Sequence, residues 1–411
     1  MKPVSAFFSY FSLLTLINQV SMASLIFFIL VLAVLVISHE FGHFIAAKKT
    51  GMKVHEFGFG FPPRLFGLQF KKNDAKKWRL VKGNRDLNES DEEYGTVYSL
   101  NWLPLGGFVK IKGENGEGKE DPESFAAKKP WQKAVVLSAG VIMNVILAMV
   151  LLIGGYMIGL PQTIDSISDV SKIKDRRIEI LQTIPGKPAE AAGIKAGDVI
   201  LQVGTLQNPR LKELQDYVDQ HKNEEILVKV QREKEFFDKK IKPAVYADTG
   251  RGGLGVAIAE IGTVRYPFFS AIWEGVKSTF WYLKEIFVAF YLLIKGAFSG
   301  NGVSEAVSGP VGVAVMTGRV ARMGIIYLIQ FMAMLSLNLA VFNILPIPAL
   351  DGGRLLFVLI SKLRRKEVSQ KLEGMFHMVG FALLMLLVIV VTVRDINNFK
   401  GAIGAFFSRL F

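Results

Sequence analysis

The sequence predicts a polytopic α-helical membrane protein with about four transmembrane helices, a β-rich extracytoplasmic insert and a membrane-associated cytoplasmic β-hairpin. Three observations carry that expectation. The 411 residues are 51% apolar and the mean hydropathy is +0.34, too apolar for a water-soluble enzyme of this size. The apolar residues gather into four stretches that approach or exceed the roughly 20 residues a helix needs to cross a bilayer. Between the second and third stretches, residues 162–262 are soluble in composition and rich in strand formers.

The elements follow in order. Residues 1–21 form an N-terminal extension whose apolar piece, Phe7 to Ile17, is too short to span; Lys2 and Met22-Ala23-Ser24 imitate a signal peptide only weakly, and the extension is expected to be dispensable. The first span covers 22–47. A polar loop, 48–133, contains YGTVYSLNWLPLGGFVKIK from Tyr94 to Lys112, whose aromatic and β-branched residues around a Leu-Pro-Leu-Gly-Gly corner suit either a β-hairpin hugging a membrane face or an ordinary surface hairpin. The second span covers 134–160. Residues 265–300 are apolar but carry Glu274, Lys277, Lys284, Glu285 and Lys295 at a helical period, which suits an amphipathic helix on the membrane. The third span with its proline-rich exit covers 325–354, the fourth 375–393, and 394–411 form a tail.

Charge orients these spans. Lys48, Lys49 and Lys53 follow the first, and Lys362, Arg364, Arg365 and Lys366 lie between the third and fourth. Both loops are therefore expected on the cytoplasmic side and the 162–262 insert on the other. The net charge of +13 is mixed with acids and concentrated beside apolar spans, which suits an anionic bilayer surface and excludes nucleic acid from the expected partners.

With no cysteine in the chain, any metal must be held by His, Asp or Glu. His39-Glu40-Phe41-Gly42-His43 supplies the sharpest pattern. Two histidines four apart share one helix face and can converge on one ion, and the Glu between them can exchange a proton with water at that ion. The motif closes an apolar run, Leu25 to Ser38, where ionisable residues are costly and mark function. A catalytic site of this kind needs a third protein ligand. Asp351 is the candidate, in a segment running from Asn338 through Asn343, Pro346 and Pro348 to Gly352-Gly353-Arg354. Read alone, Asp-Gly-Gly is a loop turn; matched in depth to His39 and His43 under the topology above, it becomes a ligand. Two His and one Asp suit Zn2+, and also iron or cobalt. His55, His221 and His377 have no ligand spacing and are read as non-ligands.

Within the insert, IPGKPAEAAGIKAGDVILQVG from Ile184 to Gly204 resembles a PDZ domain, whose groove accepts a peptide as an added strand; a globular plug without a ligand is the alternative. Taken together, HEFGH at the end of the first span, YSLNWLPLGGFVKIKGE in the next loop, one PDZ-like insert, SGPVG at Ser308 to Gly312 and NxxxxNxLPxPxLDGG near the third span resemble the bacterial site-2 proteases over most of residues 22–393. The resemblance implies an intramembrane zinc metalloprotease of the inner membrane. It implies His39, His43 and Asp351 as Zn2+ ligands, Glu40 as general base, and as substrates single-pass transmembrane proteins already trimmed outside the membrane, such as anti-sigma factors or remnant signal peptides. Asn338 and Asn343 match asparagines that grip substrate, and Tyr94 to Lys112, with Gly106 and Gly107 at its corner, matches a substrate-pairing hairpin. At Gly140-Val141-Ile142-Met143-Asn144, Val141 stands where the family has proline, which leaves the role of Asn144 open. The rivals are a membrane adaptor, which has no use for Glu40, and a metal transporter, which needs more ionisable residues along the spans.

Overall fold

The computed structural model describes residues 22–83, 93–164, 173–184, 186–232, 235–246, 250–299, 308–366 and 368–398. The N-terminal extension and the tail beyond 398 lie outside them. The chain forms two compact units, one of residues 1–152, 276–321 and 331–411, the other of 153–275 and 322–330.

The first unit holds most of the helical part. Helix α1 (Met22–Lys49) is followed by three strands, β1 (Val54–Lys71), β2 (Asp74–Val81) and β3 (Tyr94–Ile111), then by α2 (Pro130–Ile158). Four helices among the described residues are long and apolar enough to cross a membrane: Ser24–Lys49, Pro130–Ile158, Ile325–Ile344 and Gln370–Asn397. They match the expected spans, with the second beginning four residues earlier and the fourth five residues earlier than the hydropathy suggests, because interfacial residues such as Lys133 and Glu373 continue the helix beyond its apolar core.

The expected hairpin folds differently. The two arms of β3 do not pair with each other. The first half of β1 lies between them, so that Phe57 faces both Tyr98 and Val109, and Gly58 both Ser99 and Phe108. The second half of β1 then pairs with the outer side of the first arm, Leu68 opposite Tyr98, and with β2, Leu68 opposite Leu80. The order is thus β2, late β1, early β3, early β1, late β3, which leaves the arm from Leu103 to Ile111 at an edge. Long-range pairing decided this, since a second strand with a matching alternation outcompetes the local turn. Glu56 and Arg64 bridge the two runs of β1 inside this sheet, with Arg64 Nε to Glu56 Oε1 at 3.0 Å and side chains only 7% and 9% exposed.

The second unit contains β4 (Leu160–Thr163), β5 (Ile173–Thr183), a short helix α3 (Pro188–Ala191), β6 (Val199–Val203), β7 (Leu206–Gln207), helix α4 (Leu211–Gln220), β8 (Ile226–Arg232), β9 (Glu235–Ile241), β10 (Ala244–Val245), β11 (Gly252–Gly253) and β12 (Val256–Val264). The main sheet runs β4-β12-β5-β6-β8-β9, with β7 on β6. Ile178, Ile180, Ile200, Val228, Val230 and Leu214 form its core. Asp198, fully buried, is held by Arg232 at 2.7 Å, so the Gly197-Asp198 turn of the insert is fixed from the neighbouring strand β8. His221 caps α4 and stacks on Tyr217 with ring centroids 4.1 Å apart.

Helix α5 (Phe268–Phe298) is the 31-residue amphipathic element foreseen from its charges, and it is not one of the four span-grade helices. Two helices were not anticipated as separate elements. Helix α6 (Pro310–Met323) opens at Pro310 in the SGPVG stretch, and Gly312 N donates to the buried Asp395 Oδ2 at 2.7 Å. Helix α7 (Ile325–Ile344) ends at Ile344, the six residues with Pro346 and Pro348 break the helix as their prolines predict, and α8 (Asp351–Arg364) begins at Asp351, with α9 (Gln370–Asn398) after them.

Candidate metal centre

Residues His39 and His43 lie one turn apart on α1, with side chains 11% and 10% exposed. Asp351 comes from 308 or more residues downstream and is placed by the break after α7. Pro346 and Pro348 remove two backbone donors there, Ile347 N turns back to Leu345 O at 2.7 Å, and Ala349 takes φ +73°. Asp351 was expected within irregular backbone. It is instead the first residue of α8, after Leu350 in extended conformation, so the irregular segment ends where the carboxylate begins. Its two glycines explain the sequence: a Cβ on Gly352 would strike the carbonyls of Leu345 and Ile344, and one on Gly353 the carbonyl of Ile347. Only glycine lets the start of α8 fold back this closely on the loop.

The three side chains converge. His39 Nε2 is 3.0 Å from Asp351 Oδ2, His43 Nε2 is 3.3 Å from it, and the two Nε2 atoms are 3.2 Å apart. Ligands of a tetrahedral zinc at bond lengths near 2.0 Å stand about 3.3 Å from one another. The triangle therefore has the size of one face of a zinc tetrahedron. The surroundings also fix which nitrogen binds. His43 Nδ1 donates to Val136 O at 2.8 Å, leaving Nε2 with its lone pair free for metal.

Helix α2 supplies the same service to His39 through Asn144, a fully buried residue. Asn144 Nδ2 stands 3.3 Å from His39 Nδ1, and Asn144 Oδ1 has no hydrogen bond among the described residues. A ligating His39 carries its proton on Nδ1, so exchanging the two ends of the amide brings oxygen to that proton, and one contact then satisfies both groups. Ser336 Oγ donates to Asn144 O at 2.7 Å and ties α7 to the same point. Val141 in place of the family's proline leaves this contact intact.

Two further residues have positions the sequence does not give. A Cβ on Gly140 would meet His43 Nε2 and, at 2.7 Å, His39 Cε1, so α2 carries glycine where the imidazoles lie against it. His377 accepts the N–H of Ala349 on Nδ1 at 2.9 Å and so anchors the loop two residues before Asp351. His55, on β1, is half-buried; burial and then Lys53, Lys110 and Lys112 hold its pKa below the ordinary value, and it plays no part in the centre.

The substrate-contact candidates separate. Asn343 Nδ2 lies 3.5 Å from His39 Nε2, at the open side of the triangle. Asn338 donates to Met334 O of its own helix at 2.9 Å. Gly107, on the free arm of β3, is close to Glu40: a Cβ there would lie 3.3 Å from Glu40 Cγ and 3.0 Å from Val36 Cγ1. Gly106, at φ +92°, packs on Phe61 instead.

The model of peptidase family M50 matches residues 27–83 and 84–387. The chain is 30% identical to the zinc metalloprotease RasP of Geobacillus kaustophilus over 448 aligned positions, covering 90% of this chain and 96% of that protein. It is 29% identical to the regulator of sigma-W protease RasP of Bacillus subtilis, covering 90% and 97%. Among solved structures, the PDZ domain of an SdrC-like protein of Listeria innocua matches 20% of this chain and 92% of that domain at 22% identity and a TM-score of 0.19. With a family model spanning most of the sequence and relatives matched almost end to end, this chain belongs to peptidase family M50, the site-2 proteases, and is a zinc-dependent metalloendopeptidase.

Proposed function

We propose that this protease hydrolyses peptide bonds within transmembrane segments of single-pass membrane proteins whose outer domains have already been removed, in regulated intramembrane proteolysis. The observation that carries the reading is the position of the two histidines on a span-grade helix, α1, with Glu40 beside the arm of β3 that pairs on one side only among the described residues. A transmembrane helix cannot be cut while its carbonyls are bonded internally. The arm from Leu103 to Ile111 offers free backbone groups to which an unwound segment can add as a strand. Gly107 keeps side chains out of the space between that arm and Glu40, and Asn343 offers an amide to the substrate backbone at the metal centre. Asn338 is placed to support the substrate only after its amide leaves the helix carbonyl it now serves.

Zinc, when bound by His39, His43 and Asp351, supplies Lewis acidity at the scissile carbonyl and toward water. Glu40 takes the proton of the attacking water and delivers it to the leaving amide nitrogen. The two basic clusters support an active site toward the cytoplasmic side, with the PDZ-like insert outside the inner membrane capturing a peptide or screening bulky outer domains. Anti-sigma factors and remnant signal peptides fit this substrate class.

The test is a purified panel assayed for zinc content and for cleavage of a model transmembrane substrate. Glu40→Gln is expected to keep zinc and lose cleavage, by at least about a hundredfold; His39→Ala, His43→Ala and Asp351→Asn are expected to lose zinc. Cleavage by Glu40→Gln at the wild-type rate, or full zinc in Asp351→Asn, would sink the assignment.

A further inference from the structure

A cavity of about 720 Å3 opens beside the start of α2 and the start of α9. Its walls come from the loop after β3, from α8 and from the turn beyond it. Seven basic residues line it, Lys119, Lys128, Lys133, Arg354, Lys362, Arg365 and Lys366, against two acids, Glu114 and Glu373. Arg354 and Glu114 pair with each other, and Lys128, Lys362, Arg365 and Lys366 line the cavity with Glu373 as the other acid among the described lining residues. Lys119, Lys362, Arg365 and Lys366 are exposed at its mouth, while Lys128 and Lys133 are half-buried. Phe125, Phe357 and Val358 form apolar wall beside the cations, Phe357 is 9% exposed, and Lys133 lies over the Phe125 ring at 5.7 Å.

His377 adds a donor. Its Nδ1 accepts from Ala349 N, so Nε2 carries the proton; that buried Nε2–H makes no hydrogen bond among the described residues and stands 4.0 Å from Glu373 Oε1. His377 lines the cavity. An excess of cations with an unsatisfied N–H beside them calls for an oxyanion.

The height of the cavity identifies the source of that anion. Both helices that open on it turn exposed apolar side chains outward within their first two turns. On α2 these are Trp131, 58% exposed, and Val135; on α9 they are Leu372, Met375 and Phe376, each about half exposed. Cations therefore give way to lipid-facing side chains at one level, the headgroup level of a bilayer. A volume of this size holds a headgroup with the upper part of its glycerol. We propose that this cavity binds the phosphodiester headgroup of an anionic glycerophospholipid, with the acyl chains leaving along the exposed faces of α2 and α9. The site does not depend on the reading of substrate or sidedness above, and its test uses no cleavage.

The experiment is native mass spectrometry of the full-length, zinc-loaded enzyme in neutral detergent, titrated with phosphatidylglycerol or phosphatidylcholine. Phosphatidylglycerol is expected to form a one-to-one adduct at least about tenfold tighter than phosphatidylcholine, the cations near the surface each contributing to the difference. The triple variant Lys362→Gln/Arg365→Gln/Lys366→Gln is expected to lose that preference, whereas Lys212→Gln/Lys240→Gln/Lys242→Gln in the other unit is expected to keep it. Ser361→Trp, which fills the cavity without changing charge, is expected to lose the adduct while zinc content stays at the wild-type level. This second variant separates loss of the site from misfolding of the first. Equal adducts with both lipids, or wild-type phosphatidylglycerol affinity in both cavity variants, overturns the proposal. Displacement of the lipid by millimolar glycerol 3-phosphate overturns it as a lipid site and makes it a soluble phosphate site. Displacement by an acidic peptide at micromolar concentration overturns it in favour of a protein partner.

Discussion

Replacing Asn144 tests whether the second helix tunes the metal centre. The informative change is Asn144→Leu, which keeps the volume but removes the acceptor. Asn144→Ala would open space for a water able to take the amide's place. With Leu, the Nδ1–H of a ligating His39 is buried against hydrocarbon at a position that is 0% exposed. An unsatisfied buried donor costs about 1–3 kcal/mol, which at 1.36 kcal/mol per factor of ten is roughly 5- to 150-fold in zinc affinity. Outer partners of metal-bound histidines elsewhere account for about 10- to 100-fold, so the two routes agree. The assay is zinc competition against a chromophoric chelator, with the thermal midpoint of the metal-free protein measured alongside. Asn144→Leu should lower zinc affinity into that range with a metal-free midpoint near wild type, and Asn144→Asp, which restores an acceptor, should recover most of the loss. Wild-type zinc affinity in Asn144→Leu, or equal losses in Leu and Asp, would refute an acceptor role for the amide.

The remaining predictions follow from packing. Gly140→Ala places a methyl against both imidazoles and should cost zinc before it costs fold, read as metal content falling while helicity by circular dichroism is retained. Gly352→Ala, which meets two carbonyls of the preceding loop, should displace Asp351 and lower zinc affinity more than Gly374→Ala, at a position where a Cβ meets nothing within 4 Å; equal effects would show that the loop is not held by that contact. Arg64→Met leaves Glu56 charged and buried in the sheet and should cost about 3–5 kcal/mol, seen in thermal or denaturant unfolding, while adding Glu56→Gln should return part of it. Gly107→Val narrows the space between the β3 arm and Glu40 and should raise KM for a transmembrane substrate by about tenfold with zinc content unchanged; an unchanged KM would remove the edge arm from substrate binding.

Local chemistry was legible and long-range pairing was not. His39, Glu40 and His43 announce themselves because a four-residue spacing is a property of one helix. Asp351 joins His39 and His43 only through the topology of the whole chain, and its backbone differs from the expected loop: the Gly-Gly pair that reads as a turn lets a helix start against carbonyls. Pro310 at the start of α6 was a helix signal of the ordinary kind, passed over because the SGPVG stretch was read for its likeness to relatives. The sheet after α1 failed for another reason. Tyr94 to Lys112 has a turn at its centre, and nothing within it says that another strand, 40 residues earlier, will enter between its arms.

Gly140, Asn144 and His377, whose roles the sequence leaves open, share one feature: each is defined by what stands opposite. Gly140 is an absence of side chain that matters only because two imidazoles occupy the space. Asn144 is an amide in an apolar run, indistinguishable by sequence from one serving its own helix, as Asn338 does. His377 looks like a stray histidine near the start of a span until the loop it anchors is seen to end at Asp351. In a membrane protein the core gains little from hydrophobic burial against lipid, so close approach of small residues and satisfied buried polar groups carry more of the specificity. Gly42, whose Cβ would strike the carbonyl of Ala139, and Gly140 bring α1 and α2 together; Asn144 and Val136 then hold the two imidazoles from α2, and His377 holds the loop to the carboxylate from α9. The three ligands are thus positioned from two further helices that contribute no ligand, and the geometry of the centre depends on residues whose chemistry, read one at a time, is silent.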